Sequence, residues 1–262
     1  MFECAKELLK VLENKNYKAY IVGGFVRDKI LNINSKDIDI CTTATPYELS
    51  SIFTDIKIFE AFGAAKVVYK GYYFDITSLR KDIKYGLSRR DVTIDYVNTI
   101  EEDVLRRDFT INALYMDKDE EIYDLVNSKE DLDNKIIKTI GDPKKSICDD
   151  PIRILRAIRY AVKLNFSLDI DLYNAIKENK IVLLNLSYSR KKEELDKIFR
   201  LSNFEYFEQI VKELELERVL DIKFNNLEYN YDYLNVWSQI DFSNNYPFTK
   251  EEIEIINKYR QN

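Results

Sequence analysis

Two aspartates in Lys36-Asp37-Ile38-Asp39-Ile40 are the first residues whose spacing suggests chemistry. Residues two apart on a strand share a face, so Asp37 and Asp39 project together while Ile38 and Ile40 pack behind them. Adjacent carboxylates repel unless a cation lies between them, and this spacing suits one or two magnesium ions bridging a triphosphate. Taken alone, such a pair is more often a solvated strand edge. Fourteen residues before Asp37 begins Gly23-Gly24-Phe25-Val26-Arg27-Asp28. Side-chain-free glycines between a strand and a helix let backbone amides approach phosphate, and Arg27 is a candidate phosphate ligand. The bland alternative is a glycine turn beside a surface Arg–Asp pair. Asp75, in Tyr73-Phe74-Asp75-Ile76-Thr77, offers a third carboxylate on a strand that could lie beside the first.

Two further runs add donors and acceptors. Arg106-Arg107-Asp108-Phe109-Thr110-Ile111-Asn112 presents two guanidiniums for phosphate and a carboxylate for a ribose hydroxyl, or else an ion-paired helix end. In Asp149-Asp150-Pro151-Ile152-Arg153-Ile154-Leu155-Arg156, Pro151 suits a first helical position with Asp150 as the cap. Residues three apart share a helix face, so Asp150 and Arg153 could also set an acceptor beside a forked donor.

Composition narrows the chemistry. The 262 residues include no histidine, which removes Ser-His-Asp and Cys-His catalysis and histidine-based zinc sites. The cysteines Cys4, Cys41 and Cys148 are far apart and read as reduced thiols. No stretch has the ~18 apolar residues of a membrane span, and the N-terminus lacks a secretory pattern, so a cytoplasmic protein is expected. The net charge of −6 falls entirely in residues 201–262, which hold six basic and twelve acidic residues. A nucleic-acid surface, if the chain has one, would therefore lie earlier, where Arg153, Arg156, Arg159 and Lys163 cluster, and again at Arg190, Lys191 and Lys192.

The elements that must position these groups follow from periodicity. Residues 1–15 form an amphipathic helix, Tyr20 to Val22 a strand, Phe25 to Leu31 a helix and Ile38 to Thr42 a strand. Thr45 caps a helix that starts at Pro46. Lys66 to Tyr69 and Tyr72 to Leu79 flank a hairpin turn. Asp91 to Val97, Ala113 to Met116 and Glu121 to Tyr123 are also strand-like, with a helix near Glu101 to Arg107. After about residue 127 the pattern turns helical, with helices over Pro151 to Leu164, Leu168 to Asn179 and Arg190 to Arg200. Three regions are expected: a mixed head over 1–127, a helical neck over 128–200 and a short acidic helical body over 201–262. In that body Phe204, Phe207, Leu214, Leu216, Leu220, Tyr231, Leu234 and Trp237 would supply a helical support or a homodimer surface.

The run GGFVRDKILNINSKDIDI resembles the head signature of the tRNA CCA-adding enzyme and bacterial poly(A) polymerase family, with the same spacing between its two halves. RRDFTINAL is similar to that family's ribose-selecting motif, and DDPIRILRAIR to its nucleobase-selecting motif. The resemblance covers about residues 20–200. It implies an α+β fold: a DNA polymerase β-like head with about five strands, then an all-helical neck and reduced body. It also implies that Asp37 and Asp39 hold two magnesium ions, with Asp75 as the third acid. Gly23, Gly24, Arg27, Arg107, Asp108, Asn112 and Arg156 would contact the nucleotide, and Asp150 and Arg153 would read its base. The implied substrates are CTP, ATP and a tRNA 3′ end. Asp149 replaces the family's usual Glu, and Asp91 stands where Pro is frequent in the loop from Arg80 to Val97. That loop matches the CCA- and A-adding pattern at full length, which argues against CC-only addition. An A-adding, CC-adding or poly(A)-adding enzyme of the same family, or a catalytically idle RNA-binding protein, is the competing expectation.

Overall fold

The chain opens with α1 (Phe2–Glu13), whose apolar stripe buries Ala5, Leu8, Leu9 and Leu12. In this computed structural model residues 1–84, 93–225 and 232–261 are described; Asp91, within 85–92, and Tyr231 lie outside them. Contacts divide the chain into two units, Met1–Asn134 and Lys135–Asn262.

In the first unit β1 (Ala19–Val22) runs into Gly23, whose φ of 80° and ψ of −133° are closed to ordinary side chains. There the chain turns into α2 (Gly24–Ile30). After β2 (Asp39–Thr42) comes α3 (Pro46–Ile52), started by a reciprocal Thr45–Glu48 capping box. Then follow β3 (Ile56–Phe59), β4 (Ala64–Tyr69), β5 (Tyr72–Ser78), β6 (Arg80–Lys84), β7 (Thr93–Tyr96) and α4 (Ile100–Asp103). Single 3-10 turns at Val104–Arg106 and Thr110–Asn112 precede β8 (Leu114–Met116), β9 (Ile122–Asp124) and α5 (Ser128–Asp133). Helix α5 is fastened within this unit by Thr110 Oγ1, which donates to Asp131 Oδ2 at 2.6 Å.

Seven strands form one sheet in the order β3-β4-β5-β2-β1-β8-β9. The fold is the expected mixed α+β head, with seven strands in place of about five. The difference includes β3, an Ile-Lys-Ile-Phe alternation that pairs with β4 from Ile56↔Val67 to Phe59↔Ala64 and covers its edge. Strands β6 and β7 form a separate antiparallel ribbon. Within the sheet β2 and β5 are parallel, whereas β1–β2, β4–β5 and β1–β8 are antiparallel.

The second unit contains β10 (Ile136–Ile137), α6 (Pro143–Asp149), α7 (Ile152–Leu164), β11 (Ser167–Leu168), α8 (Ile170–Asn179) and α9 (Tyr188–Phe199). It continues with α10 (Phe204–Glu213), α11 (Glu217–Leu220), β12 (Ile222–Phe224), α12 (Tyr233–Ser238), β13 (Ile240–Phe242) and α13 (Lys250–Gln261). The expectation of all helix is corrected by two small ladders, β10 with β11 and β12 with β13. Runs of two or three residues are too short to display a strand period. The apolar residues offered as a homodimer surface are also corrected. Phe204, Phe207, Leu214, Leu216, Leu220, Leu234 and Trp237 are all buried within this unit. Phe199 packs edge-on against Phe204, Phe207 and Trp237, and the Trp237 Nε1–H donates to Asp196 at 2.7 Å. Each such large side chain contributes roughly 1.5–3 kcal/mol by burial. No helix among the described residues is long and apolar enough to cross a membrane.

Candidate active site

Burial alternates through the acidic motif: Asp37 and Asp39 are exposed, while Ile38 and Ile40 are buried. Asp37 lies just ahead of β2 and Asp39 is its first residue. Because β2 and β5 run parallel, Asp39 and Asp75 are direct register partners. Asp75 is exposed and its other neighbour is Lys66, with Nζ 3.5 Å from Oδ1. The donor set of this sheet face is thus hard carboxylate oxygen. Among the described residues no three acidic, Cys or His side chains converge on a metal-sized site. Magnesium needs no such cage, because it keeps water and takes phosphate oxygens alongside one or two carboxylates. The residues fit it on those terms.

Asp39 faces Val22 across the other ladder, and Val22 leads directly into Gly23. The glycine turn therefore sits one strand away from the acidic pair. Arg27, expected as a phosphate ligand, is instead buried at 1% exposure. Its Nε and Nη2 donate to Asp28 Oδ1 at 2.8 and 2.6 Å, and its Nη1 donates to Asn112 Oδ1 at 2.6 Å. The amide of Asn112 reaches Asp108 Oδ1 at 3.5 Å, which also accepts from the Phe109 N–H at 2.8 Å. A hydrogen-bonded chain thus joins the glycine motif to the Arg106–Asn112 motif and orients Asp108. The Arg27 guanidinium is closed in by packing, by the Asp28 carboxylate and by the Asn112 amide oxygen, so the expected direct phosphate contact is corrected to a positioning role.

Arg107 is held by a residue the motif reading passed over. Asp103 is fully buried, and its Oδ2 accepts from Arg107 Nη2 at 2.7 Å and from the Tyr115 hydroxyl at 2.8 Å. Its Oδ1 accepts from Arg106 Nε at 2.8 Å and from the Arg80 N–H at 3.2 Å. Arg107 also stacks over the Tyr115 ring at 4.8 Å. Burial alone would raise the Asp103 carboxyl pKa, but Arg107 and Arg106 outweigh it and hold the value below the usual range. For Arg107 burial opposes the charge, and Asp103 and Tyr115 more than restore it. Burial pushes the neighbouring Cys41 thiol up to about 12.

In the second unit Asp150 ends α6 and Pro151 occupies the cap of α7 without a side-chain cap bond. The capping reading of Asp150 is therefore corrected. Its carboxylate instead faces Arg190 Nη2 at 3.1 Å. Arg153 Nη1 donates to the Ser146 hydroxyl at 2.7 Å. Arg156 and Arg159 flank the Tyr160 ring at 5.6 and 4.6 Å, Arg159 Nε donates to Glu194 at 2.8 Å, and Lys163 is exposed.

Two residues expected to bind RNA do not face solvent. Lys191 is 2% exposed and donates to the Val219 carbonyl at 2.9 Å. Lys192 is buried between Asp196 and Glu252, each at 2.9 Å. Both ammonium groups are engaged inside the unit, Lys191 by a carbonyl and Lys192 by two carboxylates. Helical spacing could have revealed this, since Leu195, Ile198 and Phe199 extend the buried stripe of α9 back to positions 191 and 192.

The mixed sheet thus carries an acidic pair, Asp39 and Asp75, on parallel neighbouring strands beside a glycine turn. Residues 19–138 match the poly A polymerase head domain. The chain is 40% identical over 204 residues to the CCA-adding enzyme of Staphylococcus haemolyticus (strain JCSC1435), covering 78% of this chain and 51% of that protein. With the CCA-adding enzyme of Bacillus pumilus (strain SAFR-032) it shares 38% over 200 residues, 76% and 50% of the two chains. The crystal structure of the Bacillus stearothermophilus CCA-adding enzyme in complex with CTP superposes with a TM-score of 0.78 at 31% identity, covering 84% of this chain and 54% of that one. A tRNA nucleotidyltransferase complexed with a primer tRNA and an incoming ATP analog shares the fold, with a TM-score of 0.75 at 21% identity over 96% of this chain and 82% of that one. The chain spans about half the length of the curated relatives it matches.

Proposed function

We propose that this chain is a template-independent tRNA nucleotidyltransferase that adds CMP and AMP, from CTP and ATP, to a tRNA 3′ end. The register pairing of Asp39 with Asp75, one strand from the Gly23 turn, carries the reading. In the reaction the RNA 3′ oxygen bonds to the α-phosphorus, the bond to the bridging oxygen breaks, and pyrophosphate leaves. When bound by Asp37 and Asp39 with Asp75 beside them, two magnesium ions supply positive charge to the triphosphate and lower the cost of ionising the attacking hydroxyl.

The chain's own groups do the rest. Gly23 and Gly24 let the backbone approach the triphosphate, and Arg107, kept rigid by Asp103, adds fixed positive charge. Asp108, oriented through Asn112 and Arg27, accepts from the ribose hydroxyl. Base choice falls to the second unit. Cytosine and adenine each set an amino donor beside a ring-nitrogen acceptor, which suits Asp150 as acceptor and Arg153 as donor. Uracil and guanine turn a carbonyl toward Asp150, an acceptor against an acceptor, which such sites reject strongly.

In this division residues 1–127 perform the transfer, 128–200 select the base, and the acidic 201–262 supports the helices without gripping phosphate. The proposed place of work is the cytoplasm. The test is to offer tRNA lacking its terminal CCA with each NTP alone and in mixtures, and to size the products. Addition of two C and one A is expected. A poly(A) tract or a single A would identify another activity of the family, and no extension at all would overturn the reading.

A further inference from the structure

The ladder that brings Asp39 to Asp75 continues across the sheet. Asp75 is the register partner of Lys66 on β4, and Lys66 is the register partner of Lys57 on β3. Directly paired positions share a face, so four charged residues form one row: two acids, then two bases, ending at the sheet edge. All four are exposed. With neighbouring strands ~4.8 Å apart, the row runs about 14 Å from Asp39 to Lys57. Tyr73, two residues before Asp75 on the same strand face, is 67% exposed and turns an aromatic ring to that surface.

Direction decides what the lysines meet. The Gly23 turn and Arg107 lie on the β1 and β8 side of Asp39, whereas Lys66 and Lys57 lie on the opposite side. In-line displacement places the entering oxygen and the leaving pyrophosphate on opposite sides of the α-phosphorus. With the triphosphate on the glycine side, the RNA end must arrive over β5, β4 and β3. We propose that Lys66 and Lys57 form a phosphate track that guides the backbone of the incoming RNA 3′ end toward the acidic pair, with Tyr73 as a stacking face for one of its bases. The inference rests on the transfer reaction proposed above. The Lys66–Asp75 contact does not compete with it, because an ion pair this exposed, at 3.5 Å, is weak and readily exchanged for a phosphate contact.

The test compares Lys57→Ala with Lys66→Ala, the double variant and the Lys→Arg double variant. Lys57→Ala leaves the Asp75 contact untouched. Binding of fluorescent tRNA lacking CCA is followed by anisotropy across a salt series, and KM for CTP is measured separately. The alanine double variant is expected to bind RNA about three- to tenfold more weakly, with a salt slope flatter by about 0.7 per lost contact. Its KM for CTP should be unchanged, and the arginine variant should bind as the parent does. A raised KM for CTP with RNA affinity intact would assign the lysines to the triphosphate and overturn the track. Unchanged RNA affinity and salt slope would reduce the row to a surface ion pair, again overturning it. RNA binding is read without turnover. A parent protein that binds RNA through these lysines yet adds no nucleotide would overturn the proposed activity and leave the track standing.

Discussion

Asp103 and Arg107 lie 2.7 Å apart, with the acid wholly enclosed and the guanidinium facing the sheet surface that carries Asp39. The same carboxylate receives Arg106, Tyr115 and the backbone of Arg80. One buried charge therefore fixes a proposed triphosphate contact and the first residue of the β6–β7 ribbon together.

Replacing Asp103 by Asn should cost about 3–5 kcal/mol of stability, the usual result of removing one partner of a buried pair. The pH dependence has a definite sign. A carboxyl held below its usual value stabilises the fold fully above about pH 3.9, and that contribution fades as pH falls through the lowered folded value. Urea titrations should show a constant gap between parent and variant from pH 7 to about pH 5, closing below about pH 4. A gap independent of pH would show that shape, not charge, holds the site.

Asp39→Asn and Asp75→Asn should each lower nucleotide addition by at least about tenfold through loss of a metal-facing oxygen. Stability should hardly change, because like charges directly opposite in a sheet are unfavourable by roughly 0.2–1 kcal/mol and each change removes one. Activity and thermal midpoint measured on the same samples check this. Near-normal turnover in both variants would sink the two-acid assignment.

Arg153→Ala should relax discrimination against UTP by about ten- to a hundredfold, the scale of a base-specific contact of ~1–3 kcal/mol. Arg190→Ala should also alter NTP preference, because Arg190 holds Asp150 at 3.1 Å. Competition assays with CTP and UTP mixtures would decide. If Arg190→Ala changed tRNA affinity alone, its assignment to the base site would be wrong.

Lys191→Met keeps most of the packing but orphans the Val219 carbonyl, at a cost of roughly 1–3 kcal/mol. RNA affinity should stay at the parent value. A weakened RNA complex with unchanged stability would return Lys191 to the RNA surface.

Much of the head was legible because its signals are local. Period-two alternation gave Asp39 and Ile40 their faces, Gly23 marked a turn only glycine can make, and Thr45 ahead of Pro46 announced α3. What escaped depends on distant packing. Asp103 ends an Ile-Glu-Glu-Asp run that looks like a solvated first turn, and only the fold shows that Glu101 and Glu102 are exposed while Asp103 is enclosed. Arg27 was misjudged for the same reason, since its partner Asn112 is 85 residues away. At Arg190 to Lys192 the composition suggested a basic patch, but a helix turns about 100° per residue and carries two of the three inward.

The parallel pairing of β2 with β5 also governs when the acidic pair comes into being. Asp39 and Asp75 are separated in the chain by α3, β3 and β4, and parallel neighbours require such a crossover. Contacts of this range form late, after the entropy of closing a long loop has been met. An unfolded or half-synthesised head therefore presents scattered aspartates and no binding site. A divalent cation that prefers the assembled pair will favour the native state by mass action, so the head's apparent melting temperature should track the free magnesium concentration.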